Sequence, residues 1–480
     1  MERENGYLTV YLALCLTLIL SLYLALIEGA RRGGAAMESA CAAEIGMQNI
    51  MAEYHRELFN QFNLFALDSS YGTRICGRKN TEAHLMEYLK RNLSMEDVFA
   101  GKYLYRDFFG LQAYDAELTG VSVLTDEKGA VFRGMAIEAV KNDVGLKLLE
   151  EVQDWMSVVQ VNGLAEADYE AESRKLDEAL EEYDGMEVQI SENESVFLEV
   201  DNPAAQLNTK RGLGTLHLVI ENTASLSPKI LSGAEPVSRR MEQGILHSGN
   251  MPVQPAEDLW SRVLFQEYLL RYLDHYGDEA GGGALDYQIE YLIAGKEQDT
   301  ENLKSVAGRL SAIREAANVV YLLTDPEKSL EIEEAAILAC GLFALPELIP
   351  LVKAAILFGW AYAESVYDVK TLLAGGKIPL MKDKSSWHYS LSSALYGGME
   401  DSGGSGRGLS YEDYLRILMT LTGLDTLTVR AMDMVEADIR QTPGNSYFRL
   451  DACYGELEAL MRIDSSFGYR FEIRRKRAYQ

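Results

Sequence analysis

Tyr7–Ile27 reads YLTVYLALCLTLILSLYLALI, a run of 21 residues without a charge. At about 1.5 Å of rise per residue, a helix of that length covers roughly 30 Å, the thickness of a bilayer's hydrocarbon core. Glu4 precedes the run and Glu28 closes it. Along it Ala13, Thr17, Ser21, Ala25 and Gly29 recur at every fourth position. On a helix that spacing gathers them on one slowly turning stripe, where a second helix backbone comes close. The stretch therefore predicts a transmembrane anchor with a packing face. A secretory signal sequence is the competing reading, but its apolar core is shorter, about 7–15 residues, and ends in a small-residue cleavage site. Glu28-Gly29-Ala30-Arg31-Arg32 is a poor site of that kind. Glu28 stands at the membrane boundary within helical reach of Arg31 and Arg32, which predicts a local ion pair. Pairing with a cation on a neighbouring subunit is the sharper alternative.

The helical pattern continues past Arg32. GGAAMESACAAEIGMQNIMAEYHRELFNQF contains no proline. Ala36 and Ala40, Ser39 and Ala43, and Ala42 and Gly46 keep the spacing of four. One helix of roughly fifty residues is expected, half anchor and half spine. A buried strand at Asn63–Asp68, a helix around Glu82–Arg91, one or two strands in Leu111–Leu124, and helices at Phe132–Asn142 and Leu146–Val161 follow. This reads as an α+β domain with the spine laid on a small sheet. Leu164–Tyr183 is an acidic helix with a narrow apolar stripe, suited to an exposed cover or a coiled-coil arm.

Between Gly185 and Pro255 the chain turns irregular, with prolines at 203, 228, 236, 252 and 255 and one strand candidate, Thr215–Ile220. From Glu257 onward the spacing is helical. The apolar stretch Ala335–Ala363 is interrupted by Pro346, Glu347, Pro350 and Lys353, so neither half reaches about 18 residues. It reads as a buried helical hairpin, with a shallow membrane-contacting hairpin as the alternative. Asp401–Gly408 is a flexible loop, Tyr411–Arg440 is helical, and Tyr447–Ile463 with Tyr469–Arg477 forms a β-hairpin. The expected fold is α+β and predominantly helical. It divides into a leader and anchor at 1–32, an α+β domain at 33–163, an acidic helix and connector at 164–255, and a mainly helical domain with a C-terminal β-hairpin at 256–480.

A net charge of −28 argues against nucleic acid, which demands a basic face. The dense cationic run Arg474-Arg475-Lys476-Arg477 reads as a solvated strand end. Five cysteines, an odd number with no CxxC, do not suit a disulfide framework or a structural zinc site. Six scattered histidines form no HExxH, and His55 reads as a solvated spine residue. No nucleophile elbow, phosphate loop or dinucleotide fingerprint occurs. Ala374-Gly375-Gly376-Lys377 is a helix C-cap and turn. No catalytic residue, cofactor or metal is expected.

The leader MEREN followed by GYLTVYLALCLTLILSLYLALIEGARRGGAAMESACAAEIGMQ resembles the TadE- and TadG-like pseudopilins of tight-adherence (Flp type) pilus systems. Three further segments, AEYHRELFNQFNLFALDSSYG, YQIEYLIAGKEQDTENLKSVAGRLSAIREAANVVYLL and AYAESVYDVKTLLAGGKIPLMK, resemble an uncharacterised family of membrane-anchored proteins of Gram-positive bacteria. The resemblance implies a minor structural subunit of a pilus or secretion apparatus. Its partners would be the membrane and other transmembrane subunits, or further copies of itself. Two features depart from the pattern. Gly6 suits a prepilin peptidase, but Val10 and Tyr11 stand where the following glutamate would fall. Arg31 and Arg32 flank the far side of the run, which by the positive-inside rule would leave the bulk of the chain cytoplasmic, whereas the resemblance implies the outside. The sequence reading is a single-pass, membrane-anchored, non-enzymatic component with its bulk extracytoplasmic. A membrane-tethered extracytoplasmic binding domain or hydrolase without a recognisable motif is the alternative.

Overall fold

The computed structural model describes residues 4–93, 109–191, 194–197, 202–212, 214–220, 222–231, 235–253, 255–279, 281–341, 346–396 and 406–479. The chain forms two compact units: Met1–Met135 with Arg240–Pro255 and Thr442–Gln480, and Ala136–Arg239 with Ala256–Gln441.

The first unit starts with α1, one continuous helix of 48 residues, Glu4–Met51. A short α2 (Arg56–Phe62) ends at Asn63, whose φ of 51° is the left-handed cap that stops it. His55 is not a solvated spine residue: its Nδ1 accepts from the Leu58 backbone N–H at 3.1 Å and caps α2. Strand β1 is only Leu67–Asp68, shorter than the Asn63–Asp68 reading: Asn63 caps α2, and the Ala66 carbonyl accepts the His55 backbone N–H at 2.8 Å. Helix α3 (Arg78–Leu93), strand β2 (Leu111–Val123) and helix α4 (Asp126–Val140) follow. At the far end of the chain β5 (Cys453–Ser465) and β6 (Arg470–Ala478) form the expected hairpin.

The sheet is antiparallel, in the order β1-β5-β2, with β6 on β5. The partition at 256 placed the hairpin with the helical region. In the structure β5 is central to the N-terminal unit, pairing with β2 from Leu111↔Ser465 to Val123↔Tyr454. Alternation along β5 turns Leu457, Ala459, Met461 and Ile463 inward, all fully buried. The first three meet Ala43, Met47 and Ile50 of α1 and Leu85 and Leu89 of α3, and Ile463 meets Ala35 and Ala42 of α1 and Leu93 of α3. The opposite face carries cross-strand charges, among them Lys476–Glu456 at 2.8 Å and Arg462–Glu472 at 3.3 Å. Each exposed pair adds little stability, but together they reject a slipped register.

The second unit is mainly helical. It holds α5 (Leu146–Val161), α6 (Tyr169–Glu181), the small hairpin β3 (Glu187–Ser191) and β4 (Glu194–Phe197), and short helices α7 (Ala205–Gly212) and α8 (Thr215–Val219). Helix α9 (Val237–Glu242) crosses the boundary between the units. Then come α10 (Leu259–Tyr272), α11 (Gln288–Ala294), α12 (Asp299–Thr324), α13 (Pro326–Gly341), α14 (Ile349–Leu373), α15 (Leu391–Tyr396), α16 (Tyr411–Thr422) and α17 (Leu424–Gln441). Thr215–Ile220 is thus a helix and not a strand, since a short apolar run fits either period. Of the loop Asp401–Gly408, residues 401–405 lie outside the described residues. Helix α14 is long and apolar enough to cross a membrane, yet 61% of that stretch is buried inside the unit. It packs against α12 and α13, which makes it a core helix, whereas the α13 arm of the expected buried hairpin leaves Leu330, Ile337 and Leu338 exposed.

One cluster of four charges lies wholly inside this unit. Arg314 of α12 bonds Asp368 of α14 through Nε at 3.0 Å and donates to the carbonyls of Leu380 at 2.6 Å and Pro379 at 3.0 Å. Lys382 sits 2.7 Å from Asp368 and also bonds Glu364, which accepts the backbone N–H groups of His388 and Tyr389. The cluster is balanced, two acids against two bases, and fastens the irregular 378–391 segment to the helices. Removing one partner strands the other charge in a dry interior.

Asp368→Asn or Lys382→Met should destabilise this unit by about 3–5 kcal/mol in chemical denaturation. A loss under about 1 kcal/mol would show that water reaches the cluster. Three other buried acids set a pH dependence. Burial outweighs Arg211 and pushes Glu315 up to about 7, and it pushes Asp433 and Asp438 each to about 6. Unfolded, the same carboxyls titrate near pH 4. The stability they contribute is complete below about pH 4 and is lost as pH rises through about 6 to 7. Thermal unfolding of the detergent-solubilised chain should therefore shift downward between pH 5 and pH 8, and Glu315→Gln should remove the step nearest neutrality.

Candidate functional site

Helix α1 has two halves with opposite surroundings. From Tyr7 to Ile27 the large apolar side chains stand open, between 44% and 80% exposed. From Ala35 onward a stripe at helical spacing is covered: Ala35, Ser39, Ala42, Ala43, Met47 and Ile50 are all buried. Small side chains let the helix lie close to its neighbours. A Cβ on Gly46 would stand 3.3 Å from both Leu85 and Leu89, and one on Gly34 would stand 2.5 Å from the Phe109 ring.

The upper stripe is built differently. Ala13, Thr17, Ser21, Ala25 and Gly29 are exposed, and nothing lies within 4 Å of a Cβ built on Gly29. Thr17 and Ser21 donate their hydroxyls to the Leu14 and Leu18 carbonyls, each at 2.8 Å. Their polarity is thereby spent inside the helix, which leaves a low, chemically quiet face.

At the junction of the halves, the sequence-predicted Glu28–Arg31 pair forms at 3.6 Å. Arg32 is exposed beside it. The hairpin closes on the same turn of helix. The Tyr469 hydroxyl donates to Glu28, and the Arg31 guanidinium lies 4.3 Å from the centre of the Phe467 ring. Lower down, Glu44 takes Arg475 at 3.2 Å and also Arg477. The hydrogen bond from Arg477 holds the Glu44 carboxyl below the usual carboxylate range. The basic run at the C-terminus is therefore partly a clasp on the spine. Sequence reasoning found Glu28 and Arg31 but missed Phe467, Tyr469 and Glu44. Nothing in the spacing links residue 31 to residue 467; only the β5–β6 register does so.

Other constellations offer less. Cys76 Sγ lies 3.2 Å from His247 Nε2, but burial pushes the thiol up, the reverse of what an activated nucleophile needs. A cavity of about 460 Å³ in the second unit is lined by Tyr169, Arg211, Lys304, Glu315 and Tyr362 among others. Arg211 pairs with Glu315 at 2.5 Å there and stacks on the Tyr362 ring at 4.2 Å. Among the described residues no group of three or more His, Cys, Asp or Glu could hold a metal ion.

The chain belongs to a family of unknown function, DUF5702, whose pattern matches residues 193–465, more than half of its length. The match takes in β5 and stops at the turn before β6. No curated protein and no solved structure matches the chain.

Gly46→Leu should force α1 away from α3 and lower the stability of the first unit by about 1–3 kcal/mol. Unchanged unfolding of that variant would show that the lower half of α1 is not packed as described.

Proposed function

We propose that this protein is a membrane-anchored, non-enzymatic structural or assembly component. In this reading α1 crosses the bilayer once and presents its small-residue stripe to another transmembrane helix. One observation carries the proposal. A single continuous helix packs its lower half on its own sheet, while its upper half, apolar and edged with small residues, leaves its large apolar side chains open. Helix association in lipid relies on close backbone approach, which such a stripe permits. The resemblance of the N-terminus to TadE- and TadG-like pseudopilins makes a minor subunit of a tight-adherence type pilus or secretion apparatus the specific form of this reading. The bulk of the chain then lies outside the cytoplasm, at the cell membrane. A membrane-tethered binding domain is the second reading. What favours it is the cavity around Glu315 and Arg211, whose volume falls in the range of small-molecule sites.

Replacing Ser21 and Ala25 with leucine should reduce crosslinking between α1 and its partner helix in native membranes by about tenfold, as a loss of close packing would. Crosslinking at the wild-type level would rule the stripe out as an interface. Sidedness is best read at Cys41, which is exposed, whereas Cys340 and Cys453 are buried. An impermeant maleimide should label Cys41 on intact cells. Labelling only after lysis would place the domains in the cytoplasm.

A further inference from the structure

The β5–β6 turn has a fixed height on α1. Tyr469 bonds Glu28 and Phe467 lies against Arg31, so the turn is level with the first helical turn beyond Ile27. Four residues of helix rise about 6 Å. If Tyr7–Ile27 fills the hydrocarbon core, that distance lies inside the headgroup layer, roughly 5–7 Å deep on each side. The turn is braced, not loose. Ser466 N–H donates to the Gly110 carbonyl at 2.9 Å, and Ser465 N–H donates to the Tyr469 carbonyl at 2.9 Å. Gly468, with φ of 83°, donates to the Ser465 carbonyl at 2.9 Å.

The chemistry at that height is interfacial. Phe467 is 47% exposed at the very tip, and aromatic rings favour the membrane–water boundary. Arg31 lies against it, Arg32 follows on α1 with its side chain exposed, and Arg470, its side chain 82% exposed, opens β6 just beyond the turn. The acids facing them are Glu28, engaged by Tyr469 and Arg31, and Asp464, 4.0 Å from Arg470. Among the described residues 28–32 and 464–470 there are three cations and two acids, on a chain whose net charge is −28.

We propose that the β5–β6 turn is a lipid-binding foot: Phe467 and Tyr469 enter the interfacial layer, and Arg31, Arg32 and Arg470, at the same height, meet the headgroup phosphates of anionic phospholipids. The proposal rests on the reading that Tyr7–Ile27 spans the bilayer, but not on which side the domains lie. Its consequence is mechanical. A helix held only at its own base tilts freely, whereas a helix with a foot beside it meets the membrane at one angle and one rotation. The small-residue stripe would then face a set direction for its partner.

The test uses the full chain reconstituted into phosphatidylcholine vesicles, with and without phosphatidylglycerol. Phe467→Trp is compared with the unsubstituted protein, so that Trp155, Trp260, Trp360 and Trp387 cancel. The added emission should be blue-shifted and quenched by phospholipids brominated high on the acyl chain. Spin-labelled phosphatidylglycerol should be retained at the protein in preference to spin-labelled phosphatidylcholine. Each change of Arg31, Arg32 or Arg470 to glutamine should weaken that preference about fivefold. Emission quenched by aqueous iodide but not by brominated lipid, from protein that resists carbonate extraction, would overturn the foot while sparing the anchor. An unchanged preference in the triple arginine variant would overturn the headgroup assignment. Release of the protein by carbonate would remove the anchor and the foot together.

Discussion

On the proposed reading helix α1 satisfies two solvents with one backbone. A helix meets its own hydrogen bonds, so it passes from lipid to protein interior without a break, provided its side chains change on the way. They change between Ile27 and Ala35. Before that point they are large, apolar and open; after it the inward stripe is small and buried against β5, β6 and α3. Glu28, Arg31 and Arg32 mark the crossing. If the apolar half stood in water it would be an open hydrophobic rod far larger than the patches soluble monomers tolerate.

The rest of the first unit follows from where the lower half lies. A helix set on an antiparallel sheet covers one face, and the face beneath α1 is made by β5 and β6, the last strands of the chain. The unit therefore closes only when residues 442–480 return to pair with β2. Contacts of such long sequence separation are slow to form, so the spine and the first strand must wait for β5 and β6. The clasp of Arg475 and Arg477 on Glu44 fixes the returning strand against the helix once it arrives.

Patterns of period and charge revealed the local elements well. The unbroken run at Tyr7–Ile27, the spacing in Leu146–Val161 and the alternation leading to β5 and β6 each named their element, because one face of each is uniform. Partners that meet only through long-range pairing were not legible. Phe467 reaches Arg31, and β5 lies between β2 and β6, with no trace in either segment. Thr215–Ile220 misled because six apolar and polar residues fit both periods. Arg314 did leave a signal that charge alone obscured. It follows Leu310 by four positions and precedes Ala317 by three, placing a cation on the buried stripe of α12. A charge at such a position demands a buried counterpart, and Asp368 is it.

The central claim is that the apolar half of α1 stays in the finished molecule as a bilayer-crossing rod. The most direct measurement is the intact mass and N-terminal peptide map of the protein taken from washed membranes. A mass that retains Tyr7–Ile27, in protein recovered only with the membrane fraction, is the expected result. A soluble chain beginning beyond Ile27 would contradict the account.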